Sequence, residues 1–391
     1  MGESPLTPRQ VSRITCHVNH RLSNAVTERL ARLGIATALV ESGRSVRLHR
    51  RPRRFGIPGT WDKPEDAPVD IFRFTVDRSG SQTAVQSLID AGGLYAPGRG
   101  TIFAQDITEY SFEAAPSIQE IPLVEEPAAD SDQSKSSRKR RPPRQPINDL
   151  AVLTCILSMP GSGETLAREA LELGTCVPVV TLGIGTGLRD RLGLLRITIP
   201  PEKDVVHLVV PVHDTKSIIR MLIEHMNLNR PGRGIVFQTP ARCGMIDTRL
   251  RIGRQEHAAS IEQIITAIDE LKNDTTWRAR FPALEQERIG VSPPLLRNNY
   301  EFTIVSEEGV TGELVSSALE AGAGGATTAR IRRITPADTA TGIAAREYTT
   351  IVVSDTAREQ VIDSLLATGF IGEDRTNRLQ IQPVPAAFTH T

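Results

Sequence analysis

Apolar and polar positions along the chain form a pattern that occurs three times. Residues 26–34 read VTERLARLG, 166–174 read LAREALELG and 314–322 read LVSSALEAG, each apolar at the first, fifth and eighth positions with glycine at the ninth. Spacings of three and four place the apolar set on one face of a helix, and the glycine marks its C-terminal end. A short strand-like run precedes each helix: ITCHV (14–18), LTCIL (153–157) and FTIV (302–305). A β-branched stretch follows each: ATALV (36–40), CVPVVTL (176–182) and ATTARIRRI (326–334). After a loop of variable length come a third apolar run, IFRFTV (71–76), VVHLVV (205–210) and YTTIVV (348–353), and a second helix over 81–92, 214–227 and 356–368. TIFAQDI (101–107), GIVFQT (234–239) and RLQIQPV (378–384) supply a fourth strand.

The order β-α-β-β-α-β predicts an α+β fold of three tandem ferredoxin-like units, each an antiparallel sheet with helices on one face. The units are expected over 12–115, 149–255 and, in degenerate form, 299–386. An open apolar sheet face needs cover, and VVHLVV reads as a strand buried on both faces. Packing of the open faces as a pseudo-trimer within one chain meets that need, and so does self-association of separate chains. Segment 122–148, rich in Pro, Ser and charge, reads as a disordered linker whose basic run at 138–144 is solvated. Segment 256–298 reads as a helical extension, with Ile261, Ile264, Ile265, Ile268 and Leu271 on one face.

Composition narrows the function. The 391 residues are 39 % hydrophobic and 24 % charged, which fits a globular protein. Lys plus Arg and Asp plus Glu are 46 each, so net charge gives no pull toward nucleic acid or an anionic membrane. Aromatics are 4 % and are missing from the pattern that RNA-recognition strands require, which argues against a nucleic-acid partner. The cysteines at 16, 155, 176 and 243 form no CxxC pair and read as buried thiols of a reducing compartment. No secretory leader is visible and no run approaches the roughly 20 apolar residues of a membrane span, so a cytoplasmic protein without membrane insertion is expected. The eight histidines show no metal spacing and no nucleophile motif stands out, so neither catalytic residues nor a metal site are expected. A regulator is the first reading. An enzyme on the same scaffold and a nucleic-acid-binding protein are the alternatives.

Two turns carry the candidate chemistry. APGRGTIFAQ (96–105) and RPGRGIVFQT (230–239) place Gly98, Arg99 and Gly100, and Gly232, Arg233 and Gly234, between a helix end and a strand. Such a turn lets a ligand approach the backbone, its N–H groups can cradle an anion, and the arginine adds charge. The second copy adds a glycine-rich segment, GIGTGLRDRLGLLRI (183–197), with Gly185, Gly187 and Arg189. Beyond its fourth strand, DTRLRIGRQE (247–256) holds Arg249 and Arg251 on the same side of an extended stretch, a pairing suited to phosphate or carboxylate.

These elements resemble the PII nitrogen-regulatory signal-transduction proteins and their PII-like relatives. In that family a long T-loop joins strands two and three, a Gly-x-Gly turn leads into strand four, and an Arg-x-Arg-x-Gly segment follows. The resemblance is best over 149–255, moderate over about 12–110 and only in outline in the third copy. It implies that Gly232 and Gly234 form the turn, that Arg249 and Arg251 hold phosphates, and that Gly187 and Arg189 lie at the loop base. It further implies an effector bound between units: an adenine nucleotide of ATP, ADP or AMP type, or a small anion such as bicarbonate. The loop 183–196 would then control a partner protein such as a membrane transporter. The lysine that follows the turn in the family is Ile235 and Thr101 here, and the third copy reads IGEDRTN with no second glycine.

Overall fold

In β1 (Arg9–Asn19) apolar and polar side chains alternate. Ile14, Cys16 and Val18 join an apolar cluster with helix residues such as Val26 and Leu30, whereas Arg13, Thr15 and His17 line a cavity on the opposite face. That two-sidedness organises the molecule. The computed structural model describes residues 6–52, 60–96, 98–118, 146–172, 176–187, 201–247, 268, 272, 294–336 and 344–390. The expected linker therefore lies outside the described residues except for 146–148, and so does the expected helical extension apart from 268, 272 and 294–298.

The first repeat runs β1, α1 (Ser23–Arg32), β2 (Ala38–Pro52), β3 (Thr60–Val76), α2 (Ser81–Gly92) and β4 (Gly100–Ser111). The second runs β5 (Ile147–Leu157), α3 (Ser162–Glu172), β6 (Val179–Gly187), β7 (Glu202–Pro211), α4 (Thr215–His225) and β8 (Gly234–Met245). The third runs β9 (Asn299–Glu307), α5 (Thr311–Glu320), β10 (Gly325–Ile334), β11 (Ala344–Ser354), α6 (Arg358–Ala367), a single turn α7 (Phe370–Glu373), β12 (Arg378–Val384) and β13 (Ala386–Thr389).

The repeats do not stand as separate sheets. The 13 strands among the described residues join one sheet in the order β10-β11-β9-β12-β4-β1-β3-β2-β6-β7-β5-β8-β13. β10 pairs again with β2 and β6, and β4 pairs with β8, so the sheet closes on itself. The result is a closed antiparallel barrel of ten strands, and among the described residues 47 % are strand. This corrects the α+β expectation of three tandem ferredoxin-like, PII-like units packed as a pseudo-trimer. The physical reason is strand length. β3 is 17 residues long and β2 is 15, and a sheet edge left at a repeat boundary would hold unpaired backbone groups. Each last strand instead overruns its repeat. The end of β4 pairs with β12, the end of β8 with the start of β4, and β13 with the start of β8. A second correction concerns the face expected to be apolar: it carries Arg13, Thr15, His17, Arg73 and Glu41 and turns toward the interior.

The apolar cores lie on the other face of the strands, under the helices. Helix α4 buries Ile218, Ile219, Leu222 and Ile223 against β5, β7 and β8 residues such as Leu153, Leu208 and Val236, each worth roughly 1.5–3 kcal/mol. The four cysteines are buried free thiols, and burial pushes the Cys16 thiol up to about 12. Among the described residues no helix is long and apolar enough to cross a membrane.

One acid recurs at the start of the first helix in every repeat. Asp70, Asp204 and Glu347 occupy the same register position opposite Val18, Leu157 and Ser306. Asp70 accepts from Ser23 Oγ at 2.5 Å, Asp204 from the Gly163 amide at 2.8 Å and Glu347 from the Gly309 amide at 3.3 Å. Each carboxylate ties the third strand to the segment that opens the helix, where backbone donors lack helical partners.

Candidate functional site

The strand faces turned inward enclose a chamber of about 50 Å³ lined from all three repeats. β1 brings Arg13, Thr15 and His17, and β3 brings Arg73. Thr154 and His207 come from the second repeat, and Glu301 and Tyr348 from the third. Ionisable groups this deep need partners. Arg73 pairs with Glu41 at 2.7 Å and stacks its guanidinium 4.6 Å from the Tyr348 ring centroid. Arg13 crosses the seam between the first and third repeats. Its Nη2 donates to Gln105 Oε1 at 2.9 Å and to Glu301 Oε2 at 3.2 Å, and its Nη1 donates to Tyr348 Oη at 3.1 Å.

The charges sit where the repeats differ. Thr15, Thr154 and Thr303 are equivalent, and opposite them on the third strand stand Arg73, His207 and Thr350. Arg13, Val152 and Glu301 are likewise equivalent, opposite Gln105, Thr239 and Gln382. The framework repeats, but one position is filled by a cation, an apolar side chain and an anion in turn. Two guanidiniums face two carboxylates, so these groups balance.

Both chamber histidines are held neutral. Burial lowers the His17 imidazole well below its ordinary value, and His207 and Arg73 add repulsion. His207 is partly accessible and lines the chamber; desolvation first, then Arg73, brings it down to about 4 against the pull of Glu41 and Glu301. The two rings lie 6.1 Å apart, and His207 shares a hydrogen bond of 3.3 Å with Thr154 Oγ1. Among the described residues no group of three or more His, Cys, Asp or Glu is placed to hold a metal ion.

The described residues among those singled out from the sequence lie elsewhere. Gly98, Arg99 and Gly100 form the turn into β4, and Gly232, Arg233 and Gly234 the turn into β8. A Cβ at Gly100 would run into the His17 carbonyl oxygen, and one at Gly234 into that of Ile156. Positive φ angles of 151° and 141° add to the demand for glycine there. Arg99 Nε donates to the Gly92 carbonyl at 2.6 Å and so caps α2, while Arg233 contacts Met159. The Gly98 amide, a candidate anion donor, donates at 2.7 Å to Asp247 Oδ1, a carboxylate of the second repeat. Gly185 and Gly187 are strand residues of β6, paired with Thr327 and Gly325 of β10. Arg189, Arg249 and Arg251 lie outside the described residues. The structure thus brings Gly98–Gly100 next to the second repeat and places none of the described candidates in the chamber lining.

No family model and no curated protein matches the chain. The PII-like, ferredoxin-like tandem-repeat description therefore gains no family support, and the strand-dominated closed barrel conflicts with it.

Proposed function

We propose that the chain is an effector-binding regulator in which a small polar molecule seats in the chamber and its presence reaches a partner protein through β6. The observation that carries this reading is the placement of buried charge at the positions where three otherwise equivalent repeats differ. A framework needs only repetition; a binding site needs different groups on different sides of its ligand.

β6 supplies the route outward. Its Thr181 lines the chamber, and the strand pairs with β2 of the first repeat and β10 of the third. The same strand leads into the glycine-rich segment 183–196, and its Leu182 and Ile184 are 67 % and 53 % exposed, available to a partner. A ligand that binds one arrangement of these strands better than another shifts their population. A membrane transporter is one partner class this output suits. An adenine nucleotide is far larger than the chamber, so it would have to seat on the outer turns.

Hydrogen exchange of the full chain tests this, with sodium bicarbonate, AMP and ATP as separate probes. The expected result is slower exchange over Val179–Gly187 with at least one probe. Unchanged exchange there with all three contradicts the regulator reading.

One observation favours a second reading: Arg13, Arg73, Glu41 and Glu301 already pair with one another. Buried ion pairs of that kind can serve only to fix the alignment of the repeats.

A further inference from the structure

The hydroxyl groups lining the chamber point to the kind of ligand it takes. Tyr348 Oη already accepts from Arg13, and Thr239 Oγ1 accepts from Gln105 at 3.0 Å, so each hydroxyl proton is left to donate. Thr15, Thr181, Thr327 and Thr350 add four more hydroxyls. Among the described residues the only carboxylates lining the chamber are Glu41 and Glu301, both ion-paired. Such a lining offers donors and seeks an acceptor-rich ligand. Size sets the second limit. About 50 Å³ holds roughly three to five water-sized groups, which fits carboxylate, bicarbonate or nitrate.

Charge sets the third limit. The two guanidiniums and two carboxylates balance, so a bare anion would leave an uncompensated charge in a desolvated space. His207 is the group placed to correct this. It faces Arg73, Arg13, Glu41, Glu301 and His17, and its ring meets the chamber beside Thr154.

We infer that the chamber's ligand is a small planar oxyanion, and that it enters together with one proton taken up by His207. This rests on the chamber being the effector site. The proton comes from solvent and the anion keeps its charge, so the chamber returns to balance when both are in place. Arg73 and the Tyr348 hydroxyl then donate to the anion's oxygens, and the imidazolium stands opposite.

Isothermal calorimetry of the full chain at pH 6, 7 and 8 tests this, with sodium nitrate and sodium formate as probes, urea as the uncharged planar comparison and sodium chloride as the control. The expected result is saturable binding of nitrate and formate but not of urea or chloride. Affinity should weaken about tenfold per pH unit, with close to one proton taken up per anion when buffers of different ionisation enthalpy are compared. His207→Gln should remove the pH dependence while the protein stays folded. Tyr348→Phe should weaken binding roughly tenfold with its melting temperature within a few degrees. Binding of urea in preference, or anion binding with no proton uptake, overturns the oxyanion inference and leaves the regulator intact. No heat with any of the four probes, with AMP or ATP still protecting β6 from exchange, does the same. No heat and no protection by any probe removes both.

Discussion

Arg13 shows how much one side chain carries in this barrel. Its guanidinium holds Gln105 of its own repeat and Glu301, Thr303, Tyr348 and Gln380 of the third. Removing it strands Glu301 in the interior. Arg13→Met should cost about 3–5 kcal/mol in chemical denaturation, and Arg13→Met with Glu301→Gln should recover much of that loss. Equal instability of the single and double variants would contradict the pairing. The chamber histidines give a pH signature. Their native pKa values lie below the unfolded value of 6.5, His207 at about 4, so below 6.5 the unfolded chain binds more protons. Stability present above pH 6.5 is therefore lost as pH falls toward 4, by up to about 1.4 kcal/mol per pH unit for each histidine. Melting temperatures across that window should fall more gently in His207→Gln than in the parent, and parallel curves would contradict the assignment. These residues were hard to find from sequence because they lie at positions 13, 73, 207, 301 and 348, with no local spacing to join them. The signal present was the alternation Arg13, Thr15, His17 against Ile14, Cys16, Val18, which a reading of ITCHV only as a short strand-like run passes over.

Elements were more legible than their assembly. Glycine and helical periodicity mark α1, α3 and α5 because those cues are local. Strand length was not visible: ATALV gives no hint that β2 continues to Pro52. The Gly-Arg-Gly turns were visible as turns, but the glycines serve close contact with the neighbouring strand. Gly100→Ala and Gly234→Ala should each destabilise by about 1–3 kcal/mol or more in denaturation experiments, with any ligand affinity of the folded fraction unchanged. Loss of affinity at full stability would return these turns to the role of ligand site. β13 is a clasp that no propensity marks. It covers the start of β8 through Ala387 opposite Phe237, and Ala387 also bridges to Leu296. Phe388→Asp, in a position 8 % exposed, should speed amide exchange along Ile235–Gln238. No change there would mean that β8 holds its place without β13.

At the scale of the whole molecule, repetition and closure do different things. Repetition gives the second strands β2, β6 and β10 the same geometry, and each pairs with the other two. Closure turns three sets of polar strand faces inward and creates a chamber that no repeat contains alone. Sequence reading counted the copies from short-range pattern. The barrel was not legible because pairing between β4 and β12, or β8 and β13, joins segments about 150 to 270 residues apart and leaves no periodicity.

The most direct test is a titration of the full chain, imidazole-labelled for NMR, with sodium nitrate and sodium formate at pH 7. The account predicts that His17 and His207 start neutral, that both respond saturably, and that His207 takes on the shifts of an imidazolium. Two imidazoles that are already charged at the start, or that never move while other histidines do, would contradict a neutral polar chamber that binds a small oxyanion.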